Sequence, residues 1–140
     1  MAKRAGIVHQ RLDEQMMQQA SECLVGEHDF SSFRAAGCQA KHAVREITSI
    51  EVTRFNHLVV VQVEGNAFLH NMVRIIVGSL IAVGKGEQKT DWIATVLGAR
   101  DRTLAGATAV SDGLYFMGPH YDPVFGIEHW SESLPAPGFL

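Results

Sequence analysis

Asn66-Ala-Phe-Leu-His-Asn-Met-Val-Arg-Ile-Ile-Val-Gly-Ser-Leu-Ile81 carries the apolar repeat around which the rest of the chain must pack. Leu69, Met72, Val73, Ile76, Leu80 and Val83 recur at the spacing of one helical face. Ile75, Val77 and Ile81 fill much of the remaining circumference, which predicts a helix enclosed on most sides. Arg74 breaks that pattern: on a helix it lies about 100° from Val73 and shares a side with His70 and Gly78. A guanidinium there costs several kcal/mol unless a carboxylate or other acceptors meet it. Two readings follow. The arginine snorkels or makes a structural ion pair, or it stands at the floor of a cleft and holds an anionic catalytic group or a phosphate.

On the N-terminal side of this helix, Leu58-Val-Val-Val-Gln-Val63 is a β-branched run suited to a buried strand. Ile50, Val52 and Arg54 alternate with Glu51 and Thr53, the pattern of a strand with one solvated face. Phe55-Asn56-His57 between them predicts a turn, so the two runs should form an antiparallel hairpin. Further back, Leu12, Met16, Met17, Ala20, Cys23 and Leu24 mark a helical face. Asp13 and Glu14 fall in its first turn, and Gly26 is placed to end it. Phe30 and Phe33 sit beside Arg34, and the rings offer either a stacking surface for a base or, the better fit, core packing.

On the C-terminal side, Thr90 to Gly98 predicts a short helix with Thr90 as N-cap and Gly98 as its stop. Arg100-Asp-Arg-Thr103 reads as a solvated polar loop, and Leu114-Tyr-Phe-Met117 as a strand. The expected organisation is a linker or engineered start at 1–11, one domain over 12–121, and an extended tail over 122–140. The fold class is α/β (α+β): an antiparallel or mixed sheet with helices packed on one face.

Length and composition bound the function. A chain of 140 residues with 46% hydrophobic and 19% charged residues forms one globular core. No apolar run reaches membrane-spanning length, and the start lacks the apolar core of a secretion signal. Cys23 and Cys38 form neither a CxxC motif nor a disulfide framework, which fits a reducing cytoplasm. Seven histidines show no metal-ligand spacing, and there is no Walker loop, GxGxxG or GxSxG motif. Net charge is −3, yet residues 30–110 hold nine Lys or Arg against six Asp or Glu. A basic middle between acidic ends suits a surface that tracks phosphates.

Four ordered blocks carry a resemblance. They are Leu24-Val-Gly-Glu-His-Asp-Phe-Ser-Ser-Phe-Arg34, Asn66 to Arg74 with Gly78-Ser-Leu80, Asp101-Arg-Thr-Leu104 with Ala107-Thr-Ala109, and Gly113-Leu-Tyr115. Together they closely resemble the C-terminal half of the tRNA pseudouridine synthase A family, from about Leu12 to Tyr121. The departures are His-Asn at 70–71, Val110 and Phe116, where the family more often has His-His, Pro and an aliphatic residue. The resemblance implies an isomerase that detaches uracil from ribose and rejoins it through C5, with no metal or organic cofactor. The family's nucleophilic Asp lies in a Gly-Arg-Thr-Asp-Ala-Gly-type loop of the other half, and Arg100-Asp101-Arg102-Thr103 is not a copy of that loop. By similarity, Arg74 pairs with that Asp and Leu114 packs on the target uracil. Phe68 and His70 lie near enough in sequence to line the same cleft, and Arg34 beside its two aromatic rings is a further candidate substrate contact. A lone chain of this kind should be inactive. The implied partners are tRNA, bound at the anticodon stem-loop, and a second copy in a homodimer, with no membrane and no metal. The alternative is a non-catalytic RNA-binding or dimerisation module.

Overall fold

The computed structural model describes residues 6–8, 11–38, 41–110, 114–117 and 122–129, with the backbone alone at 6–8, 114–117 and 122–129. The hairpin expected around Asn56 is its longest sheet feature. Strand β3 (Val44–Phe55) and strand β4 (Leu58–Gly65) pair antiparallel with Ile50 opposite Val63, Val52 opposite Val61 and Arg54 opposite Val59. Asn56 takes φ 56 in the two-residue connection, a left-handed conformation that asparagine tolerates. β3 starts six residues earlier than its clean alternation. The register shifts between Ile47 and Ser49, and this bulge lets Ile47 and Ile50 both reach the core despite their odd spacing.

Among the described residues the sheet has six strands. Its order is β1 (Gly6–Val8), β6 (Asp122–His129), β4, β3, β2 (Gly26–Asp29), and β5 (Leu114–Met117) pairs with β6. β1 runs parallel to β6 and every other pair is antiparallel, so the sheet is mixed. One edge of β6 bonds to β4. The other is shared by β5 over 122–125 and β1 over 127–129. Residues 122–129, expected as the start of a tail, thus form an interior strand. Pro123 and Gly126 weaken its propensity, and the β-branched edge of β4 supplies the pairing that local sequence does not advertise. The linker expected at 1–11 likewise contributes β1.

Helices cover one face of this sheet. Ile50, Val52, Val59, Val61 and Val63 are buried, while Glu51, Thr53 and Phe55 on the opposite face are exposed, Phe55 at 64%. Helix α1 (Glu14–Ser21) is capped by the Asp13 carboxylate, which accepts from the amides of Gln15 and Met16. It gives way to a 3-10 turn at Glu22–Leu24, and Gly26, expected as its stop, opens β2 at φ 110. Helix α2 (Met72–Gly84) is the enclosed helix the repeat predicts, with Met72, Val73, Ile75, Ile76, Val77, Leu80 and Val83 all buried. Helix α3 (Trp92–Ala99) contains Gly98, and Arg100 takes the left-handed terminal conformation instead. Asp91, not Thr90, holds its N-cap position. Phe30 and Phe33 are fully buried, ring centroids 6.4 Å apart, so core packing accounts for both. No helix among the described residues is long and apolar enough to cross a membrane.

Two polar contacts tie α1 to β3. β2 pairs only the first part of β3, leaving the backbone at Ile50 and Val52 without a strand neighbour on that side among the described residues. The Gln18 carboxamide takes the place of one: its nitrogen donates to Ile50 O at 3.0 Å and its oxygen accepts from Val52 N at 2.7 Å. Gln18→Ala is expected to destabilise by about 1–3 kcal/mol, since both backbone groups lose their partner. Urea unfolding measures it, and an unchanged midpoint would show that water replaces the amide freely.

Arg54 lies on the apolar face of β3, where its Nε donates to Glu14 Oε1 at 2.7 Å and its Nη2 to Leu12 O. The bond from Arg54 holds the Glu14 carboxyl below its ordinary range. A depressed carboxyl contributes stability that is complete above its unfolded pKa, about 4.3, and is lost as pH falls through the folded value. Glu14→Gln should therefore be less stable than the parent at pH 7, with a gap that closes as the pH falls below the ordinary carboxylate range. A gap that persists unchanged in acid would show that the carboxylate's charge contributes nothing.

Candidate functional site

Arg74 sits in the first turn of α2 and is half-buried. The residues before the helix explain how it is held. Asn71 adopts a left-handed conformation at φ 60 and ends the 66–71 segment, so the helix begins at Met72 and His70 lies outside it. From there the Asn71 Oδ1 accepts from Arg74 Nη1 at 3.1 Å. Arg74 Nε donates to the Ala109 carbonyl at 2.7 Å, and Ala109 N donates back to Arg74 O at 2.9 Å. Three bonds thus fix the residue and its guanidinium plane with neutral partners. Among the described residues Nη2 has no hydrogen-bond partner, and no carboxylate lies within ion-pair distance.

The segment that supplies Ala109 runs across α2 in very close contact. A Cβ at Gly78, one turn beyond Arg74, would fall inside the Ala107 carbonyl oxygen. A Cβ at Gly106 would stand 2.9 Å from the Ser79 Cα. Buried Ser79 fastens the crossing: its hydroxyl donates to Ile75 O and accepts from Gly106 N, both at 2.9 Å. The side shared by Arg74 and Gly78 is therefore the side covered by residues 105–109.

The other expected site residues fall around this anchor. Ala35 N donates to His70 O at 3.0 Å, which brings the Arg34 segment beside the entry to α2. His70 is exposed, and Phe68 is partly buried against the core. Arg34 is half-buried; its Nη2 reaches Cys38 O at 3.4 Å, and it lines a cavity of about 370 Å³ with Ser31, Ala35, Ala36, Gly37 and Arg102. Leu114 belongs to β5, and its side chain lies outside the described residues. Its backbone stands in a row of register partners across the sheet: Leu114, Phe125, Val61, Val52.

Sequence reasoning passed over Asn71, Ala109 and Arg102. Asn71 carried a signal, since asparagine tolerates the left-handed conformation just before a helix. Ala109 acts through its backbone and leaves no trace in residue identity. Arg102 was hidden in a polar run that reads as solvated, whereas it is half-buried and donates to Thr108 Oγ1 at 3.2 Å.

Fold and site define an α+β domain with a half-buried guanidinium anchored by neutral partners and no carboxylate within ion-pair distance among the described residues. A model of the tRNA pseudouridine synthase family matches residues 20–122. tRNA pseudouridine synthase A of Stenotrophomonas maltophilia strain K279a is 56% identical over 110 residues, which cover 79% of this chain and 43% of that protein. Proteins of the same name from Xanthomonas euvesicatoria and Xanthomonas campestris are 58% identical over 110 residues, with the same coverage. The chain belongs to the tRNA pseudouridine synthase family. It spans less than half the length of these relatives.

Proposed function

We propose that this chain is the C-terminal part of a tRNA pseudouridine synthase, and that it supplies one wall of an active site whose nucleophile lies in sequence it does not span. The observation that carries the reading is Arg74: anchored by Asn71 and Ala109, half-buried, with Nη2 uncommitted and no carboxylate partner among the described residues. An aspartate from the remainder of the protein meets that donor. A guanidinium at contact distance lowers the pKa of the carboxyl and keeps it ionised for attack.

The reaction is an isomerisation of uridine within RNA. The bond from uracil N1 to ribose C1′ breaks, the base turns, and C5 bonds to C1′ while the C5 proton is lost and N1 gains one. Leu114 packs on the base during that turn, because an aliphatic surface makes no hydrogen-bond demand on either orientation. Phe68, His70 and Arg34 line the approach. The substrate uridine lies in the tRNA anticodon stem-loop and is flipped out to reach the site. The working form is a cytoplasmic homodimer that needs no metal or organic cofactor.

Pseudouridine formation on an unmodified tRNA transcript tests the proposal. The chain alone should show no turnover, and adding the portion that its relatives carry and this chain lacks should restore it. Turnover by the chain alone would overturn the assignment of the nucleophile to the other portion and direct attention to Asp101 or Asp112. Salt-dependent tRNA binding without turnover, even after that addition, would make this a binding module instead.

A further inference from the structure

The cavity beside Arg34 brings in Arg102, a residue that the Arg74 site does not use. Its two cationic walls come from distant parts of the sequence, Arg34 after the 3-10 turn Ser31–Phe33 and Arg102 in the 3-10 turn Arg102–Leu104. Neither guanidinium is ion-paired among the described residues. Each makes one hydrogen bond to a neutral acceptor, Arg34 to Cys38 O and Arg102 to Thr108 Oγ1. The nearby carboxylates have hydrogen-bond partners of their own, and the Ser31 bonds act with the Arg100 and Arg34 charges to lower the Asp29 carboxyl. Asp29 accepts from the Ser31 amide and hydroxyl with Oδ1 and faces Arg100 at 3.9 Å with Oδ2, and Asp101 accepts from the Thr103 amide and hydroxyl. Two like charges held around one concavity repel each other unless an anion enters between them.

The walls are also fastened together. Ser32, fully buried, donates its hydroxyl to Val96 O at 2.6 Å and accepts from Asp101 N at 2.7 Å. That clamp sets the 31–34 turn against the 101–104 turn without help from a ligand, so little ordering remains to be done on binding. The cavity is joined to the Arg74 anchor on two sides. Ala35, in its lining, bonds to His70 O just before α2, and Arg102 bonds to Thr108, the neighbour of the Ala109 that holds Arg74.

We propose that Arg34 and Arg102 form a phosphate-binding site that takes a backbone phosphate of the RNA strand close to the nucleotide held at Arg74. The assignment of RNA as the source of the phosphate rests on the proposed function. The anion chemistry rests on the cavity itself. Arginine suits the task because its planar fork meets two phosphate oxygens at once.

Two measurements on the 140-residue chain test this. Titration of isotope-labelled chain with inorganic phosphate should shift the amide resonances of Ala35, Ala36, Gly37 and Arg102 and leave α1 unmoved. Binding of a tRNA transcript across a salt series should lose about 0.7–0.9 from the slope of log K against log salt in Arg34→Gln and in Arg102→Gln, the loss of one phosphate contact. Lys89→Gln, an equal charge change at an exposed position outside the cavity, should affect the slope much less. Arg102→Lys should retain the slope, which separates charge from folding. Equal slopes for the Arg34, Arg102 and Lys89 variants would overturn the site whatever the isomerase assay gives. Phosphate-induced shifts without tRNA binding would leave the anion site standing and sink its RNA ligand.

Discussion

Gly78→Ala is expected to destabilise the chain by about 3 kcal/mol and to abolish turnover in the complemented enzyme. Helix propensity alone predicts the opposite sign, a gain of about 0.8–1 kcal/mol for replacing an interior glycine by alanine. The tertiary contact outweighs it. The new methyl would overlap the Ala107 carbonyl oxygen, and backbone cannot rotate aside as the tip of a flexible side chain can. Relief requires residues 105–109 to lift from α2, which breaks the Ser79–Gly106 bond and moves the Ala109 carbonyl that positions Arg74 Nε. Urea denaturation reads the stability loss as a lower midpoint at unchanged slope. A variant as stable as the parent would mean that the 105–109 segment does not lie where it is described.

Arg74→Lys is expected to lower turnover on the order of 10²–10³-fold in the complemented enzyme, nearly as much as Arg74→Ala, which should abolish it. Charge is retained in the lysine variant, so a purely Coulombic role would leave activity largely intact. The geometry argues otherwise. Nε and Nη1 are committed to Ala109 O and Asn71 Oδ1, and only a guanidinium has a further nitrogen to offer while keeping both anchors. Losing the anchors costs stability as well, so the informative quantity is turnover per folded molecule with the midpoint measured alongside. Full activity in Arg74→Lys would reduce the residue to a background charge. Full activity in Arg74→Ala would remove it from the mechanism.

Local pattern carried much of the architecture. The β3–β4 hairpin and the enclosed helix α2 follow from period and propensity because each buries a run of apolar residues whose spacing repeats within the element, and strand β5 follows from its local strand propensity. Arg74 stood out for the same physical reason, as one charge in an otherwise apolar circumference. The misplacements share a different cause. β6 contains a proline and a glycine and is a strand because β4 and β5 pair with it. Gly26 and Gly98 looked like helix stops, but α1 yields early to the pairing of β2 with β3, and α3 runs past Gly98 to Ala99, after which Ser32 holds the turn at Asp101.

The sequence by itself determined the family, the helix that carries Arg74 and the strands of the hairpin, since these depend on residue identity and on repeats shorter than one element. Only the tertiary structure decided what Arg74 touches, why Gly78 must lack a side chain, and that Arg34 and Arg102 share one cavity. Those facts depend on backbone carbonyls, on closest approach and on segments more than twenty residues apart in the chain, none of which a local pattern of side chains encodes.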